Sequence, residues 1–177
     1  MTAPVLLAIF NSVYLIALTS WVGSILFFSF AVAPIIFQVL GAEAGGKFVR
    51  ALFPIYYKWG VISTACALPA LVCGPLTTPE LRGPMVGIQA ILIIVSLLIL
   101  LYCGNSLTPA INAARDAGPE FAPLFDRLHK RSVNLNGVVL VIGLGLLIAF
   151  AVRKPPITSG IIEPPPRPVE DRGYGVP

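Results

Sequence analysis

The polar side chains that could bind a ligand lie close to the ends of long apolar stretches. Asn105, Thr108, Asn112 and Arg115 follow one another at the spacing of a single helix face. An arginine offers a contact for an anion, and a histidine titrates near neutral pH. The predicted polar cluster consists of Gln38, Tyr57, Asn105, Asn112, Arg115, His129, Ser132 and Asn136.

This polar cluster has two interpretations. It either forms a polar pocket, with Arg115 as an anion contact and His129 as a titratable group, or forms a hydrogen-bonded cap that ties two protruding helical hairpins together. Polar residues near membrane depth are costly and usually have partners. The sequence favours the cap over the pocket.

The residues of catalytic sites are not evident. We find no nucleophile–base pair, carboxylate pair or phosphate-binding loop, and no acidic residue within a predicted membrane segment. The sequence therefore predicts no catalytic residue and no enzyme. It also disfavours a proton-coupled transporter, because such proteins use carboxylates inside the membrane.

The potential metal ligands are few. His129 is the only histidine, so a haem with two axial histidines is ruled out, and neighbouring basic residues favour a surface position for it. Cys66 and Cys73 lie seven residues apart on one helix face, as a Cu(I) site would need. Thiols in apolar surroundings resist ionisation, so we expect packing and predict neither metal nor cofactor.

The elements that must position these residues are membrane helices. Apolar residues make up 56% of the 177-residue chain and charged residues 11%, against about 25% in soluble domains. Four apolar stretches are long enough to span a bilayer, where the backbone must be helical. They are residues 5–36, 54–74, 84–104 and 133–152. The predicted fold is all-α, an integral membrane four-helix antiparallel bundle formed by residues 1–154.

The connections between these helices have their own signals. The first apolar run would reach about 50 Å as one helix, beyond the ~30 Å hydrocarbon core, so Pro34 is predicted to break it. Pro109 is the corresponding helix break after the third stretch. Residues 43–52 predict an amphipathic connector at the membrane surface. Residues 155–177 predict a disordered Pro-rich C-terminal tail.

An internal similarity accompanies the prolines. Ala33 to Ile36, then Ala44-Gly45 and Phe48, resemble Thr108 to Ile111, then Ala117-Gly118 and Phe121. Such a pattern predicts two parallel repeats. Independent use of proline at helix exits explains it equally well.

The net charge of +4 bears on location. Most basic residues fall in the first and third connections, so the positive-inside rule places these in the cytoplasm and both termini outside. We expect an integral membrane protein of a plasma or bacterial inner membrane, in contact with the lipid bilayer. The basic residues are divided among membrane-edge loops, which argues against a nucleic-acid partner.

Several residues in order resemble the transmembrane protein 205-like family. They are Trp21, Gly23, Ala33, Pro34, Phe37, Gly45, Phe48, Phe53, Pro54, Tyr56, Tyr57, Asn105 to Ile111, Arg115, Leu128, His129, Ser132 and Leu135 to Gly137. The resemblance covers about residues 10–150. It implies a four-helix membrane domain of unknown function, whose eukaryotic namesake is associated with platinum-drug resistance.

Three classes of function compete. The leading hypothesis is a non-enzymatic accessory or interaction subunit, acting as a homo-oligomer or within a larger membrane complex, because four helices enclose little volume. The alternative is a binding or transport protein for a small solute, a metal or a drug. The third is a haem-linked membrane oxidoreductase, because the aromatic-rich first helix is similar to that of haem-binding protoporphyrinogen oxidases and copper-resistance membrane domains.

Overall fold

The structure, a computed structural model, describes residues 2–153, and this part of the chain contains helices and turns and no strand. The α-helices are α1 (Ala3–Phe27), α2 (Ala33–Thr77), α3 (Pro84–Tyr102), α4 (Thr108–Asp116) and α5 (Ala122–Ala151). Two π-helices lie between them, π1 (Phe28–Val32) and π2 (Cys103–Leu107). Short 3-10 turns occupy Pro79–Leu81 and Pro119–Phe121. The predicted tail lies outside the described residues.

Within residues 2–153, three helical segments are long and apolar enough to cross a membrane, where the sequence predicts four. They are Ala3–Thr77, Pro84–Asp116 and Pro119–Ala151. The numbers differ because the first segment, Ala3–Thr77, joins two helical arms across Gly41, a single residue whose backbone is not helical. The predicted amphipathic connector at 43–52 is likewise an integral part of α2. Pro54, expected at a helix start, lies inside the same helix.

Gly41 reverses the chain within the first of these segments. Its φ of 71° and ψ of 179° define a conformation that is essentially restricted to glycine. The residues on either side of it then pack against each other: the rings of Phe28 and Phe53 lie 5.6 Å apart, and Gly74 faces Leu7. Residues 3–40 and 42–77 therefore form an antiparallel hairpin, the first hairpin.

Gly118 has the same role in the rest of the chain, with a φ of 111° and a ψ of 179°. Across it, Arg131 of α5 stacks 5.2 Å from the ring of Tyr102, and Arg153 donates a hydrogen bond of 2.7 Å to Gln89. Residues 84–116 and 122–151 form the second hairpin.

Pro34 and Pro109 do not break the chain, contrary to the prediction. Each is the second residue of an α-helix that directly follows a five-residue π-helix, and the backbone stays helical through both. In a π-helix the hydrogen bonds span five residues, as from the Ala33 N–H to the Phe28 carbonyl, so the turn before each proline does not follow the α-helical pattern that a proline disrupts. The reversals occur several residues later, at Gly41 and Gly118. The two π-helices, like the two prolines, are 75 residues apart.

The core lies between the hairpins. The fully buried side chains there include Trp21, Leu18, Ile93, Val139 and Leu146, and Trp21 packs between the helices. The outer surface is also apolar, with large side chains exposed on every long helix, among them Ile16, Ile62, Leu98 and Val141. Apolar residues on both the inside and the outside are what a lipid-facing helix requires.

Candidate functional site

A hydrogen-bonded network joins the two hairpins. Tyr56 Oη donates a 3.0 Å hydrogen bond to Asn136 Oδ1, and Asn136 Nδ2 donates to Tyr57 Oη at 2.8 Å. Tyr57 Oη and Ser132 Oγ share a further hydrogen bond of 3.1 Å. The tyrosines belong to α2 and their partners to α5, so the network fixes one hairpin against the other.

The Asn136 amide is the centre of this network. Besides its two tyrosine partners, its Nδ2 donates to the carbonyl oxygen of Ser132 one turn earlier, at 3.0 Å. Tyr57 and Ser132 are almost completely buried. Buried amides and hydroxyls need such partners, because an unpaired buried polar group costs stability.

An open groove adjoins this network and runs between α1, α2 and α5. It has a volume of about 420 Å³. One wall is aromatic: the ring of Phe28 lies 5.2 Å from that of Tyr56 and 5.6 Å from that of Phe53. We call it the aromatic groove. Its lining residues are Ile25, Phe28, Ser29, Phe30, Ala33, Phe37, Val49, Phe53, Tyr56, His129, Ser132, Val133, Asn136, Gly137 and Leu140.

The aromatic groove is open to the outer surface and polar on one side. Phe30, on π1, is 76% exposed, and Val133, on α5, is 56% exposed, so the rim is accessible. Tyr56, Ser132 and Asn136 bring the hydrogen-bonding groups. Among its described lining residues there is no lysine, arginine, aspartate or glutamate. The groove therefore suits a mostly apolar molecule with an uncharged polar group.

The ends of the two hairpins meet in a separate charged region. Arg50 donates hydrogen bonds to both carboxylate oxygens of Asp116, at 3.1 and 2.8 Å. Arg115 donates to the carbonyl oxygen of Ala42 at 3.3 Å. Asp116 is exposed there, outside the apolar stretches, and the hydrogen bonds from Arg50 lower the pKa of its carboxyl group. This region links the turns around Gly41 and Gly118.

The structure divides the predicted polar cluster among five places. Tyr57, Ser132 and Asn136 come together in the network, and His129 stands at the edge of the aromatic groove, stacked on Phe125 at 5.7 Å. Two further members lie in the charged region, where Arg115 binds Ala42 and the backbone oxygen of Asn112 accepts from Arg50. Asn105 lines a different recess, and Gln38 is exposed near the turn.

The sequence did not reveal the aromatic wall of the groove. Phe28 and Phe53 are separated from Gly41 by nearly equal numbers of residues. A turn recognised at Gly41 would therefore have predicted that they lie opposite each other in the hairpin. The prediction of a helix break at Pro34 and of a separate connector at residues 43–52 concealed it. Arg50 lies within the predicted amphipathic connector, but its pairing with Asp116 was not predicted, because the two residues are 66 positions apart.

The histidine and cysteine residues do not assemble into a metal centre in residues 2–153, where no three His, Cys, Asp or Glu side chains form a group. Cys66 is exposed, Cys73 is half-buried and Cys103 is buried, and all three are free thiols.

At the end of the bundle opposite the hairpin turns, Arg153 lies over the rings of Tyr14 and Phe150 and also donates a hydrogen bond to Gln89.

Comparison with known proteins places the chain among uncharacterised proteins. A family model described as "Domain of unknown function (DUF4149)" matches residues 16–120. An uncharacterised protein of Aquifex aeolicus (strain VF5) is 28% identical over 128 residues, which cover 72% of this chain and 86% of the relative. No solved structure matches the chain.

Proposed function

The chain belongs to the DUF4149 family, and from this premise we propose a non-enzymatic membrane protein that binds an uncharged amphiphile in the aromatic groove. One observation carries the proposal: a lipid-accessible groove of about 420 Å³ has aromatic walls and the Tyr56–Asn136 hydrogen bond on one side. Such a volume falls within the range of about 300–1,000 Å³ that is typical of small-molecule sites.

The proposed placement in the membrane has each hairpin crossing twice, which makes a four-helix antiparallel bundle. Helix α5 supports this placement. Its segment from Arg131 to Arg153 has no charged residue in between and, at 1.5 Å per residue, is about 33 Å long, close to a ~30 Å hydrocarbon core. The aromatic groove then lies at the boundary between lipid and water, since His129 and Ser132 flank Arg131.

The proposed orientation follows the basic residues. The end of the bundle where the hairpin turns meet contains Lys47, Arg50 and Arg115. Lys130 and Arg131 lie in the part of α5 nearer to the same end. The positive-inside rule puts this end in the cytoplasm of a plasma or bacterial inner membrane, with both termini outside. Labelling of single cysteines in intact cells tests it: a residue near Gly41 should be shielded from an impermeant reagent, and one near Thr2 should react.

The chemistry of the groove selects the class of ligand. Phe28, Phe53 and Tyr56 offer flat apolar surface to an acyl or isoprenoid chain. Asn136 Oδ1 accepts one hydrogen bond from Tyr56 and has a second lone pair for a ligand hydroxyl. A charged headgroup would lose its water here, and no lysine, arginine, aspartate or glutamate among the described lining residues would pair with it, which makes its burial costly.

Photo-crosslinking with a diazirine-tagged long-chain fatty alcohol tests this function. The chain offers a matched pair of variants on α5, Gly137→Leu and Gly145→Leu. A side chain added at either glycine meets open space, but only Gly137 lines the aromatic groove. We expect the label on peptides containing Phe28–Phe37 or His129–Leu140. Gly137→Leu should reduce the labelling severalfold, and Gly145→Leu should leave it unchanged.

Equal labelling of the two variants and of the unaltered protein would show that the probe reports general contact with lipid. Labelling spread evenly over all exposed helix surfaces would contradict the proposal in the same way. Purified protein of each variant should give the same helical circular dichroism spectrum, which excludes misfolding as the cause of a loss.

A second candidate function, an accessory or interaction subunit, is favoured by one observation. Gly23 of α1, which has Ser20 and Ser24 close by in sequence, is exposed and has open space around it. Small residues on a lipid-facing surface permit close approach of another helix. This candidate function agrees with the resemblance to the transmembrane protein 205-like family. Membership of the chain in that family is part of the proposal. Native mass spectrometry should show an oligomer or a complex that Gly23→Leu dissociates; a monomer in gentle detergent would contradict it.

A further inference from the structure

The two hairpins are structural repeats related by a shift of 75 residues. The shift takes π1 to π2 and Pro34 to Pro109. It also relates positions that are buried in both hairpins: Leu18 and Ile93, Trp21 and Ser96, Ile25 and Leu100, Ile36 and Ile111, Thr64 and Val139, Leu71 and Leu146. Because buried positions recur at this shift along both arms of the hairpin, independent use of proline at helix exits does not explain the repeat.

Tyr57 and Ser132 locate the axis that relates the repeats. They are equivalent under the 75-residue shift, and they share a hydrogen bond of 3.1 Å with each other. Equivalent residues meet directly where a twofold axis passes between them. Because π1 and π2 precede the turns at the same end of the bundle, the axis runs along the helices, as in parallel membrane repeats.

The same shift relates two grooves. A recess of about 250 Å³ lies between α2, α3 and π2. Apart from Leu101, every residue that lines it has its equivalent in the lining of the aromatic groove. We call it the Lys58 recess, and its lining residues are Pro54, Tyr57, Lys58, Val61, Leu100, Leu101, Gly104 and Asn105. The fold thus forms one groove twice, once on each side of the axis.

The two grooves differ in charge. Lys58 stands where the aromatic groove has Val133, and Asn105 stands where it has Phe30. Conversely, the Lys58 recess has Val61 at the position where the aromatic groove has the hydrogen-bonding Asn136. Lys58 is exposed and forms no ion pair with a carboxylate among the described residues. The recess therefore combines an unpaired positive charge and an amide with an apolar floor.

We propose that the Lys58 recess binds an anionic phospholipid of the surrounding bilayer. The lipid phosphate would pair with the Lys58 ammonium group and accept a hydrogen bond from the Asn105 amide. One acyl chain would follow Val61, Leu100 and Leu101 toward the membrane centre. Lysines near a membrane surface attract anionic lipids. A phosphate would provide the negatively charged partner that Lys58 lacks among the described residues.

Native mass spectrometry with two defined lipids tests this assignment. The full-length protein in gentle detergent is mixed with dioleoyl phosphatidylglycerol or dioleoyl phosphatidylcholine, which share their acyl chains and differ in headgroup. We expect preferential retention of phosphatidylglycerol. Lys58→Met should reduce this preference about fivefold, the effect of one basic residue near an anionic lipid. Lys58→Arg should retain it.

Lys130→Met is the matched control, because Lys130 is exposed and lines neither groove. An equal loss of preference in Lys58→Met and Lys130→Met would overturn the proposal, since it would show a general effect of net charge. Asn105→Trp keeps Lys58 and fills the recess, so it decides the question if Lys58→Met does not fold. Unchanged retention of phosphatidylglycerol by Asn105→Trp would also overturn the proposal.

Discussion

Removing the Tyr57 hydroxyl should measure how firmly the two hairpins are joined. Tyr57→Phe leaves the ring in the core and deletes only the oxygen that contacts Asn136 Nδ2 at 2.8 Å and Ser132 Oγ at 3.1 Å. Both lost hydrogen bonds connect α2 with α5. The variant therefore weakens the contact between the hairpins without creating a large cavity.

The expected magnitude follows from the two bonds. Hydrogen bonds between membrane helices contribute on average about 0.6 kcal/mol each, with a maximum of about 1.7 kcal/mol. Loss of both should lower the free energy of unfolding by about 1.2 kcal/mol, with an upper limit of about 3.4 kcal/mol. For a chain of this size, 1.2 kcal/mol corresponds to a decrease in Tm of about 2–5 °C.

Thermal unfolding in a single detergent, followed by circular dichroism, provides the assay. Tyr102→Phe is the control, because Tyr102 is half-buried and its hydroxyl has no hydrogen bond to another described residue. We expect no measurable change in its Tm. A Tyr57→Phe variant as stable as the unaltered protein, or an equal decrease in Tyr102→Phe, would refute the role of the network.

Three further variants test other features by the same unfolding assay. Gly41→Ala should lower stability by about 1–3 kcal/mol, because its φ of 71° is strained for alanine, whereas Gly23→Ala should not; equal effects would contradict this. Ser96→Ala should leave stability unchanged or raise it, since the buried Ser96 Oγ has no hydrogen-bond partner in the described chain; a clear loss of stability would contradict this. Asp116→Asn should lower the stability only slightly, because its pair with Arg50 is solvent-exposed, and 1 M salt should abolish the difference; a large loss that persists in salt would contradict this.

The helical character of the chain was predictable from composition, whereas its turns were not. Apolar stretches of about 20 residues specify helices because a bilayer leaves the backbone no other partner. Pro34 and Pro109 suggested breaks by a local rule, but the π-helix before each proline accommodates it. Gly41 was not predicted as the turn, because a single glycine in an apolar run has no distinct sequence signal.

The candidate site was predictable only along single helices. Ser132 and Asn136 both belonged to the predicted cluster, and their spacing of four residues on α5 does bring them together. Tyr57 joins them because the two hairpins pack across the axis, a relation that helix periodicity does not contain. Arg115 was grouped with them by its side of the membrane, yet it belongs to the charged region near the turns.

The position of π1 has a mechanical consequence for the aromatic groove. A π-helix contains one residue more than the α-helix it interrupts, and in an α-helix each residue turns the chain by about 100°. Expelling that residue from Phe28–Val32 would rotate all of α1 before it by this angle relative to α2. Ile25 and Phe28 would then leave the groove wall. The groove is therefore a property of helical register, and π1 is the segment that sets it.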